Sequence, residues 1–206
     1  MKGIILAGGT GTRLGILTRV VNKHLLPVYD KPLIMYPLQT LISLGITSIM
    51  IVTDKRRAGD FMNLLGTGKE FRARFTYGLQ DKAAGIPDGI SVARDFAGDD
   101  EITVILGDNI FLGDLSVLRD NKNDAKIFLK EVEDSERFGI ASISNGQITE
   151  IVEKPKDRQS NLAVTGLYQS LTRHFLRNMS RFILRSWTSS LAFFGISPRI
   201  SCFPRS

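Results

Sequence analysis

An apolar segment at residues 4–6 leads directly into a glycine-rich turn near the start of the chain. The apolar run contains β-branched residues, which predicts a short buried strand. Gly8, Gly9 and Gly11 follow closely, and their lack of a Cβ would let the backbone turn tightly and approach a ligand. A strand that enters such a turn can direct successive N–H groups at phosphate oxygens. The strand and the glycine-rich turn together predict an α/β fold with an anion site at the end of the first strand.

Two known phosphate-binding motifs do not match this turn. The GxxxxGK[ST] pattern of a P-loop is absent, and the third glycine of GxGxxG is missing because Thr12, Arg13 and Leu14 follow Gly11. A dinucleotide-dependent dehydrogenase also needs an acidic residue at a strand end about 20 residues after the loop, which this chain lacks. Arg13 still offers a planar, charged donor to phosphate oxygens. From the glycines alone, a solvent-exposed surface turn remains the alternative.

Apolar runs and helical spacings alternate along the first half of the chain. Such alternation predicts a mostly parallel sheet with helices on both faces. The patterns predict strands at residues 47–52, 75–79, 102–106 and 126–131, helices at 31–44, 58–65, 89–96 and 114–119, and a hairpin joining 138–143 to 147–152.

The positive charge of the chain is confined to its C-terminal part. The chain carries a net charge of +6, yet residues 1–157 hold 20 Lys and Arg against 21 Asp and Glu. Residues 158–206 hold seven arginines and no Asp, Glu or Lys. A nucleic-acid-binding protein should carry its basic residues on a folded face with its recognition elements, so no nucleic-acid partner is expected. No membrane partner is expected either, because no apolar stretch is long enough and the start does not look like a signal peptide, so a cytoplasmic location is expected.

Five segments of the chain resemble the sugar nucleotidyltransferase family. They are LAGGTGTRL at residues 6–14, NKHLLPVYDKP at 22–32, LGDNIF at 106–111, VEKP at 152–155 and AVTGLY at 163–168. The resemblance implies a Rossmann-like three-layer α/β fold with a mostly parallel central sheet. It also implies nucleotidyl transfer, in which a sugar 1-phosphate attacks the α-phosphorus of a nucleoside triphosphate. The branch of the family that the chain resembles uses dTTP, glucose 1-phosphate and Mg²⁺, and its members are expected to be homo-oligomers. A UTP-using enzyme remains an alternative.

The resemblance also implies roles for individual residues. The nucleotide would contact Gly8, Gly9, Gly11, Thr12, Arg13, Lys23, Gln80, Gly85 and Asn109. The sugar phosphate would contact Gly139, Glu153, Lys154 and Val164. Arg13, Lys23 and Lys154 would carry the catalytic charge, and Asp108 would bind the metal. No general base is implied, so neither His24 nor His174 is proposed as catalytic.

Simpler interpretations exist for several of these residues. Asp108 follows the predicted strand at 102–106, where ligands of α/β sheets bind, and a carboxylate there suits Mg²⁺. An Asp-Asn pair is equally typical of a turn. Glu153 and Lys154 could be a solvated pair at a strand end. Gln80 offers both a donor and an acceptor to an imide base, but it could also be an ordinary exposed glutamine. Pro87 stands where the family usually has alanine, and it could begin the next helix.

The resemblance covers residues 1–168 and stops there. Residues 169–206 form a basic tail unlike the family, and they lack the W-x-D-x-G-type segment that carries the family's second metal-binding aspartate. The abrupt change in composition is interpreted as a shifted reading frame, with a divergent natural segment as the alternative. The sequence accordingly predicts an impaired enzyme, or a nucleotide-binding remnant without activity.

Overall fold

The computed structural model describes residues 1–8, 21–81, 85–113, 115, 118, 125–144, 147–155, 160–171 and 191–192. The chain divides into two compact units, Met1–Arg119 and Asp120–Ser206. The first unit contains β1 (Lys2–Leu6), β2 (Pro27–Val28), β3 (Lys31–Pro32), α1 (Met35–Ser43), β4 (Ser48–Asp54), α2 (Ala58–Leu65), β5 (Arg74–Gln80), α3 (Ile86–Val92), α4 (Arg94–Ala97) and β6 (Glu101–Leu106). The second contains β7 (Ala125–Glu131), β8 (Gly139–Ser144), β9 (Gln147–Glu153), β10 (Leu162–Leu171) and β11 (Leu191–Ala192).

The first unit is built on a parallel sheet in the order β6-β1-β4-β5. Its central strand, β1, places Ile4 between Met50 of β4 and Val104 of β6. Ile4 and Val104 are fully buried, as expected for strands of a parallel sheet that is covered by helices. The predicted strands of this region are therefore confirmed. Each gains one or two residues at its ends, and the strand predicted at 47–52 begins one residue later, at Ser48.

Helix α1 packs closely on β1 because Gly3 leaves room for it. A Cβ on Gly3 would lie 2.8 Å from Cδ1 of Leu41, which is too close for two carbon atoms. Leu41 and Leu38 are both fully buried. The helix ends where the sequence predicts, since Gly45 adopts φ +82 directly after the last turn.

Two helix predictions need correction at their starts. Lys31 and Pro32 do not begin α1, because they pair with Val28 and Pro27 in a two-stranded ribbon. Pro37 is tolerated near the helix start, where an N–H group has no intrahelical partner. Helix α3 begins at Ile86 instead of residue 89, since Pro87 lies in its first turn, and the predicted single helix is divided into α3 and α4 at Ala93.

The second unit pairs its strands in antiparallel fashion. Strand β10 pairs with both β7 and β8, β8 pairs with β9, and β9 pairs with β11. Leu129, Ala141 and Ile148 form its buried apolar cluster. The predicted hairpin is confirmed by the pairing of Ile140 with Val152, while its turn at residues 145–146 lies outside the described residues. So does the helix predicted at 114–119, apart from residues 115 and 118.

No helix in the described part of the chain is long and apolar enough to cross a membrane.

Candidate active site

The carboxyl ends of the parallel strands in the first unit bring several polar residues to one edge of the sheet. The backbone N–H of Ala7 donates to Val52 O (2.7 Å), and that of Gly107 donates to Leu6 O (2.8 Å), so the three strand ends stay in register. Gln80 ends β5, and Asp108 follows β6 by two residues. This is the edge at which open α/β sheets bind their ligands.

Lys23 and Asp108 form a direct ion pair at this edge. Lys23 Nζ donates to Asp108 Oδ2, and the two side chains keep 23% and 35% of their surface exposed. Asp108 is therefore not a turn aspartate bonded only to neighbouring N–H groups. Burial raises the pKa of the Asp108 carboxyl, but the hydrogen bond and charge of Lys23 outweigh it and leave that pKa below its usual value. The carboxylate remains ionised at neutral pH and available to a cation.

A buried pair on either side of Lys23 fixes the backbone that carries it. His24 Nδ1 lies 2.6 Å from Asn22 Oδ1, which also accepts the backbone N–H of His24 (2.9 Å). Because an amide oxygen can only accept, Nδ1 carries the proton. Asn22 Nδ2 donates in turn to Ala7 O (3.3 Å), at the end of β1. The short helical turn Lys23–Leu25 is thus anchored to the central strand through Asn22.

His24 is 2% exposed and packs beside Gly107. Burial, together with the nearby charge of Lys23 and against the opposing effect of Asp108, lowers the pKa of its imidazole to about 4. The ring is therefore neutral at physiological pH, with Nδ1–H committed to Asn22. Its contacts with Asn22 and Gly107 hold the turn that carries Lys23.

Gln80 lies at the end of β5 with its amide next to Gly8. Only 5% of Gln80 is exposed, so it is not an ordinary surface glutamine. A Cβ on Gly8 would lie 2.2 Å from Gln80 Oε1, which means that the glycine leaves the space the amide oxygen occupies. Gln80 Nε2 donates to Asp88 Oδ2 (2.8 Å).

Gly85 and Asn109 lie in turns next to this edge of the sheet. Gly85 has φ +99 and directly precedes α3, and its carbonyl accepts the N–H of Gly89 (3.2 Å). A side chain is strained at this φ, so glycine is required by the backbone itself. Asn109 donates its backbone N–H to Leu106 O (3.2 Å), which closes the turn that contains Asp108.

The second unit brings Gly139, Glu153 and Lys154 together. Gly139 pairs with Glu153, and a Cβ on the glycine would lie 3.0 Å from Glu153 Oε2. Lys154 has φ +47, its N–H donates to Phe138 O (2.9 Å), and its Nζ lies 3.6 Å from Glu153 Oε1. Val164 lies on β10, opposite Leu129. Burial raises the pKa of the Tyr168 hydroxyl to about 12, with a further contribution from the charge of Glu153.

In the part of the chain that the structure describes, the predicted site residues form three groups of contacts. Lys23 contacts Asp108, Gln80 lies against Gly8, and Glu153 lies between Gly139 and Lys154. The predicted phosphate-binding residues Gly9, Gly11, Thr12 and Arg13 lie outside the described residues.

Within the described part of the chain, no three His, Cys, Asp or Glu side chains cluster as a metal site. Asp108 nevertheless fits a Mg²⁺ ion in one respect, since Mg²⁺ is commonly held by one or two carboxylates together with substrate phosphates. Lys23 contacts one of its two carboxylate oxygens, Oδ2.

Two further residues are important to the site and were not predicted from the sequence. Asn22 gives no signal beyond its place beside Lys23, because its partner Ala7 is distant in the chain. Asp88 is an acidic residue in the first turn of a helix, which is common without any function. Its contact with Gln80 depends on how α3 packs against β5.

Comparison with known proteins identifies the family. The model of the Nucleotidyl transferase family matches residues 2–194. A glucose-1-phosphate thymidylyltransferase of Neisseria meningitidis is 42% identical over 174 residues, which are 82% of this chain and 60% of that protein. The chain thus spans about three fifths of the length of this curated relative.

Solved structures give the same result for the fold. A Bacillus anthracis protein named as a candidate glucose-1-phosphate thymidylyltransferase, crystallised with sucrose, superposes with a TM-score of 0.85 at 40% identity, over 99% of this chain and 87% of that one. A UDP-glucose pyrophosphorylase complexed with UDP-glucose shares the fold at a TM-score of 0.73 and 24% identity, over 95% of this chain and 90% of that one. The α/β fold expected from the sequence is confirmed, and the chain belongs to the Nucleotidyl transferase family.

Proposed function

We propose that this protein is a glucose-1-phosphate thymidylyltransferase, which converts dTTP and glucose 1-phosphate to dTDP-glucose and pyrophosphate. The observation that carries the proposal is the Lys23–Asp108 pair, held at the carboxyl edge of the parallel sheet by the buried residues beside it. The pair supplies one cationic and one metal-binding group where a triphosphate would lie. The names of the relatives at about 40% identity support the choice of nucleotide and sugar.

The reaction is an in-line displacement at the α-phosphorus of dTTP. A phosphate oxygen of glucose 1-phosphate forms the new P–O bond, and the bond from the α-phosphorus to the bridging oxygen breaks, so that pyrophosphate leaves. The attacking phosphate is already ionised at neutral pH, so no protein base is needed. Catalysis then depends on positioning and on charge neutralisation.

Lys23 and Asp108 divide this task between them. Lys23 would place its ammonium group against the α-phosphate, where negative charge develops. Asp108 would hold Mg²⁺, which, when bound, supplies a second positive charge to the reacting phosphates. In the absence of substrate, the two side chains neutralise each other, which keeps both at the sheet edge.

The remaining contacts follow the sequence prediction. The glycine-rich turn, with Gly9, Gly11, Thr12 and Arg13, would bind the β- and γ-phosphates. Gln80 would contact the base. Glu153 would accept hydrogen bonds from sugar hydroxyls and Lys154 would orient the attacking phosphate, with Gly139 and Val164 lining the sugar.

A UTP-using uridylyltransferase is the second candidate. Thymine and uracil present the same N3–H and carbonyl groups to an amide such as that of Gln80, so this contact cannot separate them. A third candidate, an impaired enzyme, rests on the composition of residues 158–206, which hold seven arginines and no acidic residue.

The test is pyrophosphate release by the purified protein from dTTP or UTP with glucose 1-phosphate and Mg²⁺. We expect release from dTTP to exceed release from UTP. A higher rate with UTP would favour the second candidate. Tight nucleotide binding with no release would favour the third, and a chimera that replaces residues 169–206 by the corresponding part of the Neisseria relative should then restore turnover.

A further inference from the structure

We infer that Asp88 is a positioning residue that orients the Gln80 amide and thereby selects a base with an N–H donor at position 3. The inference rests on the proposed function, in which Gln80 contacts the base, and adds a determinant of base selection. It starts from the hydrogen bond of 2.8 Å between Gln80 Nε2 and Asp88 Oδ2.

An ionised carboxylate can only accept hydrogen bonds, whereas a glutamine amide has one accepting and one donating end. Asp88 can therefore satisfy only the nitrogen of Gln80. The oxygen is left to point toward Gly8, where it occupies the space of the missing Cβ. An amide turned by 180° would place two acceptors against each other at Asp88, which is unfavourable in a site where Gln80 is 5% exposed.

Two glycines allow this arrangement. Gly8 leaves room for the amide oxygen, and Gly89 faces the amide nitrogen, since a Cβ there would lie 3.4 Å from Gln80 Nε2. Helix α3 carries both Asp88 and Gly89, so the helix start holds the amide by one hydrogen bond and by its close approach. The orientation of Gln80 is thus set before any nucleotide binds.

The chemical consequence concerns the Watson–Crick edge of the base. Uracil and thymine present N3–H, a donor, to the Gln80 oxygen. Cytosine presents an unprotonated N3, an acceptor, which would face the Gln80 oxygen, also an acceptor. The arrangement therefore disfavours cytosine, because two acceptors would face each other unless the amide turned and placed its oxygen against Asp88.

The test compares the affinities of dUTP and dCTP, which differ only at positions 3 and 4 of the base. Calorimetric titration with Mg²⁺ should show that the wild type binds dUTP more tightly. In Asp88→Asn the new side chain can donate as well as accept, so the Gln80 amide can turn. We expect the dUTP:dCTP affinity ratio to fall by about tenfold, the effect of one unsatisfied hydrogen bond.

Asp81→Asn is the matched control. Asp81 follows Gln80 directly, but its side chain is 90% exposed and contacts Lys55 (3.4 Å). The dUTP:dCTP affinity ratio of Asp81→Asn should therefore match that of the wild type. Asp88→Ala removes the acceptor altogether and should also lower the dUTP:dCTP affinity ratio. If Asp88→Asn does not fold, this variant tests the positioning role of Asp88. A general structural defect would weaken both nucleotides without changing their ratio.

The outcomes separate the inference from the proposed function. If the wild type prefers dUTP and both Asp88 variants retain its ratio, the positioning role of Asp88 is wrong while the proposed function stands. If the wild type binds ATP tightly but neither dTTP nor dUTP, the proposed function is wrong and the inference falls with it.

Discussion

Two lysine–carboxylate pairs at the proposed substrate-binding positions are held in place by different means. Lys23 and Asp108, in the first unit, are 23% and 35% exposed, whereas Lys154 and Glu153, in the second, are 49% and 73% exposed. The first pair is in direct contact and the second is 3.6 Å apart. An exposed pair contributes little to stability, so the second pair cannot maintain its own geometry through its charges.

The contacts that hold the two lysines in place differ accordingly. Lys23 is placed by buried side chains, since Asn22 and His24 tie its turn to the end of β1. Lys154 is placed by its backbone, which adopts φ +47 and donates to Phe138 O. The first pair should therefore be sensitive to side-chain changes in the interior, and the second to changes in backbone freedom. The following predictions test this contrast.

Asp108→Asn should have the largest effect. The substitution removes the charge that holds both Lys23 and the proposed metal ion, so kcat for pyrophosphate release should fall about 100- to 1,000-fold. The matched control is Asp100→Asn, since Asp100 is half exposed, contacts Lys2 (2.7 Å) at the opposite end of β1 and should lose almost no activity. Equal kcat values for the two variants would remove Asp108 from the mechanism.

The neutral state of His24 should make stability depend on pH. Its pKa is about 4 in the folded protein and about 6.5 in the unfolded chain, so between these values the unfolded chain binds more protons. The free energy of unfolding should therefore fall as the pH drops from 6.5 to 4, by an amount on the order of 3 kcal/mol. Above pH 6.5 this residue adds no pH dependence.

Urea denaturation at several pH values measures this effect, with His24→Gln as the comparison. The glutamine cannot titrate, so the difference in unfolding free energy between the two proteins should change between pH 6.5 and 4 and be constant above. A constant difference over the whole range would mean that His24 does not lose its proton on folding.

Asn22→Ala should destabilise the first unit by about 2 kcal/mol. The change leaves the buried His24 Nδ1 without an acceptor and removes the Asn22 donor from the Ala7 carbonyl, which keeps only the longer contact with Thr53 Oγ1 (3.5 Å). It should also lower kcat, because Lys23 loses the anchor of its turn. Asn63→Ala, at an exposed position of α2, is the matched control. If both variants unfold at the same urea concentration, the anchor is not needed.

The sequence was sufficient to predict the elements that depend on local pattern. Helix α2 has the predicted bounds because Gly66 ends it, and Asp108 follows a buried strand as expected. The sequence failed where pairing with another segment of the chain overrides the local apolar pattern. The helical spacing of apolar residues led to a helix predicted from residue 31, yet Lys31 and Pro32 pair with β2.

The contacts that hold the site residues in place also depend on pairing between separate segments of the chain. The hydrogen bond from Asn22 to Ala7 spans 15 residues and depends on where the chain returns to β1. The contact of Asp88 with Gln80 is closer in sequence, but it requires α3 to start at Ile86, three residues before the predicted start. Motifs identified the residues proposed to meet the substrate, whereas the residues that hold them were visible only in the structure.

Substitutions that test the backbone of Lys154 should have the smallest effect. They distinguish a lysine held by its own backbone from one held by neighbouring side chains. A residue with a Cβ is strained at φ +47, whereas glycine is not, so Lys154→Gly should be more stable than Lys154→Ala by about 1 kcal/mol. Both variants lack the amine and should lose activity to a similar extent. At Lys23, whose support comes from neighbouring side chains, alanine should be at least as stable as glycine. Urea denaturation of the four variants measures both differences, and the opposite order at Lys154 would show that its backbone carries no strain in the folded protein.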